Sequence, residues 1–327
     1  MTTDDEVQPV LLALDWGTSS LRAFLMDAHG VVLRERSSAH GIQNLPEPGV
    51  PGFEAAFRAL CGDDIARWPH LPVVAGGMVG SAQGWTEAPY IACPADISAL
   101  ARQAAVVKSG LGPDIRIAPG VLYDPADGTP DVMRGEEIQI AGALALHPEL
   151  SARACVVLPG THSKWAFIED GRIVSFVSYM TGELFAVLSR HSILGRLMPT
   201  DGNRETDGAG FSRGLADARK GGPGDLPHQL FATRTLGLTG RLPHAALPDY
   251  LSGLLIGQEL VSGFAHLAHT PGAPLVLIGD GALCRRYRNA LAAFEVSPAA
   301  VLDNTAPTGL FQFAVAAGLV AGQPAHS

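Results

Sequence analysis

Cysteine is scarce in this chain. The 327 residues include four, Cys61, Cys93, Cys155 and Cys284, with no CxxC pair among them. That scatter offers neither a disulfide framework nor a zinc site, and it predicts reduced, mostly buried thiols. Long apolar runs are missing as well: none approaches the roughly 20 residues that span a bilayer. The opening MTTDDEVQ is acidic and carries no basic, then apolar, signal. No membrane partner is expected, and a cytoplasmic location is. Positive charge is also short, with 23 Lys plus Arg against 32 Asp plus Glu and a formal net charge of -9. Without a basic run to follow a phosphate backbone, nucleic acid is not an expected partner.

Apolar residues make up 47% of the chain, enough to bury a substantial core in about two domains. The 38 glycines and 24 prolines sit mainly between short apolar runs. VLLAL (10–14), LPVVAGG (71–77), CVVL (155–158) and LVLIG (275–279) read as buried strands. Helical stretches are predicted over 53–61, 97–107, 136–146, 247–268 and 283–294. This alternation is an α/β pattern. The polar Gly/Pro-rich stretches near 40–52 and 199–228 read as surface loops or small insertions. A domain boundary is expected at HPELSARA (147–154), where a helical pattern stops at Pro148 before a new strand, giving domains 1–150 and 151–327.

An internal repeat supports that boundary. At an offset of 143 positions, GTSSLRAFLMD (17–27) lies over GTHSKWAFIED (160–170) with six of eleven positions identical. In each copy a strand runs into a Gly-Thr turn and a second strand follows. A later glycine, Gly30 or Gly171, then suits a hairpin.

Gly17-Thr18-Ser19 and Gly160-Thr161-His162-Ser163 expose backbone N–H groups and hydroxyls with little obstruction, so each turn can wrap a phosphate as an anion nest. Alone, either turn reads equally as an ordinary hairpin; as a pair, they could grip one polyphosphate. Asp15 ends the first strand where the second copy has Leu158. A lone carboxylate there suits a magnesium ion that also binds phosphate oxygens and water, or simply caps the turn. Gly279-Asp280-Gly281 follows an apolar strand and precedes a helix, giving a flat base or ribose access to the backbone. It lacks the last glycine of GxGxxG, and no GxxxxGK[ST] occurs.

LLALDWGTSSLRAFLMD resembles the first phosphate motif of the actin, hexokinase and sugar-kinase ATPase superfamily, LPGTHSKW the second, and LVLIGDGALCRRY the adenosine motif. VVAGGMVGSAQGWTEAPYIACPA, VMRGEEIQIAGAL, MTGELFAVLSRHSILG and YLSGLLIGQEL narrow the likeness to the 2-dehydro-3-deoxygalactonokinase family, over about residues 10–320. The resemblance implies two duplicated ribonuclease-H-like domains around a central cleft, with ATP and Mg²⁺ toward the second domain and the acceptor against the first. It implies transfer of phosphate to the terminal hydroxyl of a sugar acid.

Sugar kinases of this superfamily place a base at the head of a helix just after a glycine, a position that Glu136 matches. Many use Asp there, so the choice between Glu136 and Glu137 is left open; acidic residues in a first helical turn also favour the helix dipole. Lys164 suits the transferring phosphate, or is a surface lysine of the hairpin. For the acceptor carboxylate the candidates are Arg22, Arg134 and the backbone of Gly76-Gly77-Met78-Val79-Gly80-Ser81. Either arginine could instead form structural ion pairs. Trp85 could cover the sugar's apolar face or pack in the core. Thr181-Gly182-Glu183 reads as a helix cap, with Glu183 a lesser substrate candidate. The last helix, FQFAVAAGLVAG, is expected to pack back across the domain boundary, and a homodimer is the default assembly. A phosphohydrolase on the same fold, or a nucleotide-binding module without turnover, would carry many of the same motifs.

Overall fold

The computed structural model describes residues 7–199, 208–222 and 224–321, which form two compact units. The first contains the described parts of Met1–Arg153, Ile168–Phe176 and Asn304–Ser327, and the second Ala154–Phe167 and Val177–Asp303.

The first unit begins with strands β1 (Leu11–Trp16), β2 (Leu21–Met26) and β3 (Val32–Ser38), then helix α1 (Val50–Arg67) and β4 (Val73–Gly76). After a 3-10 turn at Met78–Gly80 come β5 (Tyr90–Ala92), α2 (Ile97–Arg102), β6 (Ala105–Lys108), β7 (Asp114–Ile117), β8 (Gly120–Tyr123), β9 (Asp131–Met133) and α3 (Glu136–Leu146). The main sheet has the order β3-β2-β1-β4-β7-β6, and β5-β8-β9 form a small second sheet. β1 pairs antiparallel with β2 and parallel with β4, so that Asp15 lies opposite both Arg22 and Gly76. The apolar runs of β1 and β4 are those of strands covered on both faces. On one face Leu12, Leu14 and Trp16 pack against Phe53 and Phe57 of α1.

The other face is covered by α3 and by a helix from the far end of the chain, introduced below, whose Leu310 meets Gly76. These two helices touch backbone to backbone. A Cβ on Gly142 would lie 2.0 Å from the Thr305 carbonyl oxygen, and the Thr305 hydroxyl donates to the Gln139 carbonyl at 2.6 Å.

The chain continues with β10 (Arg153–Leu158), β11 (Ser163–Glu169), β12 (Arg172–Tyr179), α4 (Thr181–His191), α5 (Ala209–Lys220), α6 (Leu226–Leu238), α7 (Leu247–Leu267), β13 (Leu275–Ile278), α8 (Gly281–Ala293) and β14 (Ala300–Leu302), of which residues 168–176 of β11 and β12 belong to the first unit and the rest, from Ala154 on, to the second. Helix α9 (Ala306–Ala316) then returns to the first unit. The sheet order is β12-β11-β10-β13-β14, with β13 parallel to both β10 and β14. In both sheets the third, second and first strands lie in succession, and a later strand joins the free edge of the first in parallel. Gly30 and Gly171, the late glycines of the repeat, both have positive φ.

Three sequence expectations require correction. The stretch near 199–228 is not simply a loop: α5 and the start of α6 occupy its described part, while residues 200–207 lie outside the described residues. The glycines there mislead because Gly210 and Gly214 are buried contact positions of α5, on one face with Phe211, Leu215 and Ala218. The helix expected over 97–107 stops at Arg102, and the β-branched pair Val106-Val107 continues as strand β6. Finally, a single cut near residue 150 does not separate the units. The chain crosses again for 168–176, where Ile173 pairs with Ala95, and for α9.

All four cysteines are unpaired, three of them buried and Cys93 half-buried. No helix among the described residues is long and apolar enough to cross a membrane.

Candidate functional site

In the first unit, the carboxyl ends of the parallel strands β1 and β4 meet the amino end of α3. Gly77, at φ 89°, passes so close to β1 that a Cβ there would lie 2.8 Å from the Trp16 carbonyl oxygen. Gly135, at φ 108°, packs on it, 3.3 Å separating its notional Cβ from the Gly77 Cα. Both conformations favour glycine, and together they bring Glu136 to the strand ends where Asp15 is seated. Burial pushes the Asp15 carboxyl above its ordinary range, and the Arg22 guanidinium pulls the other way. Arg22 is thereby placed as the electrostatic partner of Asp15.

The adjoining Gly17-Thr18-Ser19 turn is closed by a 2.9 Å hydrogen bond from the Gly17 N–H to the Ser20 carbonyl, with Thr18 and Ser19 exposed. The loop after β3 braces it from behind: Ile42 and Gln43 donate to the carbonyls of Gly17 and Thr18, each at 3.1 Å.

The two glutamates of α3 have different surroundings. Glu136 is partly exposed, and its Oε2 accepts the Arg134 N–H at 3.1 Å. Glu137 is 1% exposed; its Oε2 accepts the Gly135 N–H at 2.7 Å, while Oε1 has no hydrogen-bond partner. It lines a cavity of about 220 Å³ with Ile97, Leu100, Ile140 and Leu144. Burial there, reinforced by the neighbouring Glu136 charge, pushes its pKa up to about 8.

Arg134 is almost fully buried. Its Nη2 donates to the Ala88 carbonyl at 2.8 Å, and its guanidinium lies 4.3 Å from the Tyr90 ring centroid. Nε and Nη1 have no partner, and neither does the buried Ser81 hydroxyl close by in sequence to Gly80. A Cβ on Gly80 would come within 3.0 Å of Nη1, so the glycine leaves room for the guanidinium. Met78 is half-buried on the preceding turn. Trp85 belongs to the core: its ring stacks on Phe53 at 5.8 Å and meets Trp16 and Phe57 edge-on.

In the second unit, Pro159-Gly160-Thr161 opens into a cavity of about 610 Å³, whose other walls come from Thr181 and Gly182 of α4, from α7, and from Asp280 and Tyr287 around α8. The amino end of α4 rests on the turn. The Glu183 N–H donates to the Thr161 carbonyl at 3.0 Å, and a Cβ on Gly182 would lie 2.4 Å from the Gly160 carbonyl oxygen. His162 is exposed and its Nε2 pairs with the Glu183 carboxylate. Lys164 is 5% exposed, which removes the surface alternative. Ser163 is fully buried and donates to Glu259 Oε1 at 2.7 Å, so its hydroxyl points into the interior. Asp280 caps α8, accepting the N–H groups of Ala282 and Leu283 at 3.0 and 3.1 Å. Gly279 and Gly281 flank that cap, so this turn has the geometry of a strand-to-helix junction whose carboxylate is already engaged.

Sequence reasoning missed Glu259, which lies behind the turn at 2% exposure and also accepts from Trp165, Thr181 and Tyr287. Its one sequence signal is a carboxylate inside the otherwise apolar stretch of α7. Thr181 accordingly serves this carboxylate and does not cap α4.

The family model for 2-keto-3-deoxy-galactonokinase matches residues 15–313. The chain is 36% identical over 303 residues to a probable 2-dehydro-3-deoxygalactonokinase of Rhizobium meliloti, covering 91% of this chain and 94% of that one. It is 37% identical over 296 residues to the 2-dehydro-3-deoxygalactonokinase of Escherichia coli, covering 90% and 94%. A crystal structure from Sinorhizobium meliloti, described as a candidate 2-dehydro-3-deoxygalactonokinase, superposes with a TM-score of 0.80 at 33% identity, over 94% of this chain and 98% of that one. At the level of fold alone, the activator of 2-hydroxyisocaproyl-CoA dehydratase from Clostridium difficile, solved with bound ADPNP, matches with a TM-score of 0.50 at 11% identity, over 94% and 95% of the two chains. The chain belongs to the 2-keto-3-deoxy-galactonokinase family.

Proposed function

We propose that the protein phosphorylates the terminal, C6 hydroxyl of 2-dehydro-3-deoxy-D-galactonate with ATP, giving the 6-phospho sugar acid in galactonate breakdown. The observation that carries this reading is the seating of Glu136, partly exposed, at the head of α3 beside the ends of β1 and β4. Of the two adjacent glutamates it is the more exposed; Glu137 is 1% exposed, and burial pushes its carboxyl up to about 8. An ionised Glu136 would orient the acceptor hydroxyl and take its proton as the bond to phosphorus forms, a contribution of about 10² to 10⁴ in rate.

Arg134 is the donor for the substrate carboxylate: a buried guanidinium with two unpartnered N–H positions fits an anion. The second unit holds the nucleotide in the 610 Å³ cavity, with the Gly160-Thr161 backbone and His162 toward the phosphates. Lys164 follows that turn on β11, and Gly279 and Gly281 give the base or ribose access to the backbone. In the first unit, Asp15 and the Gly17-Thr18-Ser19 turn are a second set of groups suited to phosphate. Bound magnesium would neutralise phosphate charge, and Asp15 suits it as a direct or water-mediated carboxylate, since such ions take few protein ligands beside phosphates. The shared strand order and the sequence repeat support two duplicated ribonuclease-H-like domains.

The test is a panel of 2-keto-3-deoxy acids and aldoses assayed for ATP-dependent phosphorylation. The galactonate-type acid is expected to be the best acceptor, and Glu136→Gln to lower kcat by about 10² to 10⁴ without weakening ATP binding. ATP consumption indifferent to the sugar acid would replace the kinase by a hydrolase. Full turnover in Glu136→Gln, with none in Glu137→Gln, would overturn the base assignment.

A further inference from the structure

We infer that Glu259 is a positioning residue for the nucleotide, a buried carboxylate that sets the shape of the cavity by tying three of its walls to one point. This rests on the reading of that cavity as the ATP site. Glu259 comes from α7 and its two oxygens accept four hydrogen bonds. Ser163 Oγ at 2.7 Å and Trp165 Nε1 at 2.9 Å donate to Oε1, while the Thr181 hydroxyl and the Tyr287 hydroxyl at 2.7 Å donate to Oε2. A carboxylate has about four lone-pair directions, so these donors use its full accepting capacity.

The donors are distributed where the site needs them. Ser163 follows the Gly160-Thr161 turn at the start of β11, Thr181 opens α4, which rests on that turn, and Tyr287 lies on α8 beyond the Asp280 cap. Thr181 and Tyr287 also line the cavity, whereas Glu259 is behind it. It can therefore act on a bound nucleotide only through the residues it holds. Burial, the larger effect, pushes its carboxyl upward, and the four donors pull the other way. Phosphate binding by backbone amides needs those amides fixed beforehand, because ordering them on binding reduces affinity.

The experiment compares the wild type with Glu259→Gln, Thr181→Val and Tyr250→Phe. Tyr250 is a control in the same unit: its hydroxyl donates to Asp217 at 3.1 Å, outside the Glu259 network. Binding of a non-hydrolysable ATP analogue with Mg²⁺ is measured by calorimetry. Amide hydrogen exchange at 160–163 is followed in the ligand-free protein, and KM for ATP and for the sugar acid are separated. Glu259→Gln and Thr181→Val are each expected to weaken analogue binding roughly tenfold. Both should hasten exchange at the turn and leave the sugar-acid KM unchanged. Tyr250→Phe should lower the melting temperature without moving either readout. If both variants lose thermal stability but keep wild-type affinity and wild-type exchange at the turn, Glu259 is only structural and the inference falls. If the wild type itself binds no analogue, the nucleotide reading of the cavity fails, and this inference with it. Should Glu259→Gln not fold, Thr181→Val alone decides, because it removes one donor at nearly constant volume.

Discussion

Replacing Glu137 by glutamine removes a proton-binding equilibrium from the interior of the first unit while leaving its packing nearly unchanged. The glutamine amide has the shape of a protonated carboxyl, its oxygen can still accept the Gly135 N–H, and its NH₂ takes the place of the unpartnered Oε1. In the folded protein the pKa is about 8, against 4.5 for an ordinary glutamate, because burial disfavours the charge and Glu136 adds to the effect. A raised folded pKa on an acid means that between those two values the native state keeps a proton the unfolded chain has lost. Stability then declines as pH rises from 4.5 to about 8, and levels off above. At about 1.4 kcal/mol per pH unit the whole interval corresponds to roughly 5 kcal/mol, an upper value that relaxation and water entry reduce to a few. Thermal melts of wild type and Glu137→Gln from pH 5 to pH 9 are the assay. The two should melt together near pH 5 and separate toward pH 8, the variant higher by on the order of 5 to 10 °C. Taking the difference cancels the titration of every other group. A constant offset across the range, or a wild type that gains on the variant as pH rises, would refute the argument.

Further outcomes follow from the same geometry. Arg134→Met keeps the apolar stem over Tyr90 but removes the two unpartnered N–H positions, so KM for the sugar acid should rise by about 10- to 100-fold with KM for ATP unchanged; an equal rise in both would point to general misfolding. Gly142→Ala sets a methyl 2.0 Å from the Thr305 carbonyl oxygen and must push α9 away from α3. It should cost about 1 to 3 kcal/mol, read as a lower melting temperature, and an unaltered melt would mean that the helix contact is looser than described.

Much of this protein was legible in its residues. The apolar runs at 10–14, 71–77, 155–158 and 275–279 became β1, β4, β10 and β13, because a strand buried on both faces needs a continuous apolar stretch and little else does at that length. The Gly-Thr turns, the glycines of positive φ at 30 and 171, and the start of α3 after Gly135 were also readable, since turn and helix-start chemistry is local. What stayed hidden depends on which way a side chain points or on residues far apart in the chain. Glu136 and Glu137 are neighbours of one type, and only the packing of α2 and α3 buries the second. Gly210 and Gly214 read as loop residues until the helix they press against is present. The partners of Glu259 span positions 163 to 287, and α9 completes a unit that began some 300 residues earlier. Sequence by itself determined the local backbone and the family chemistry. Tertiary structure decided which carboxylate is shielded and which is accessible, because that choice is made by the energy of removing charge from water, and only the assembled fold determines where the water is excluded.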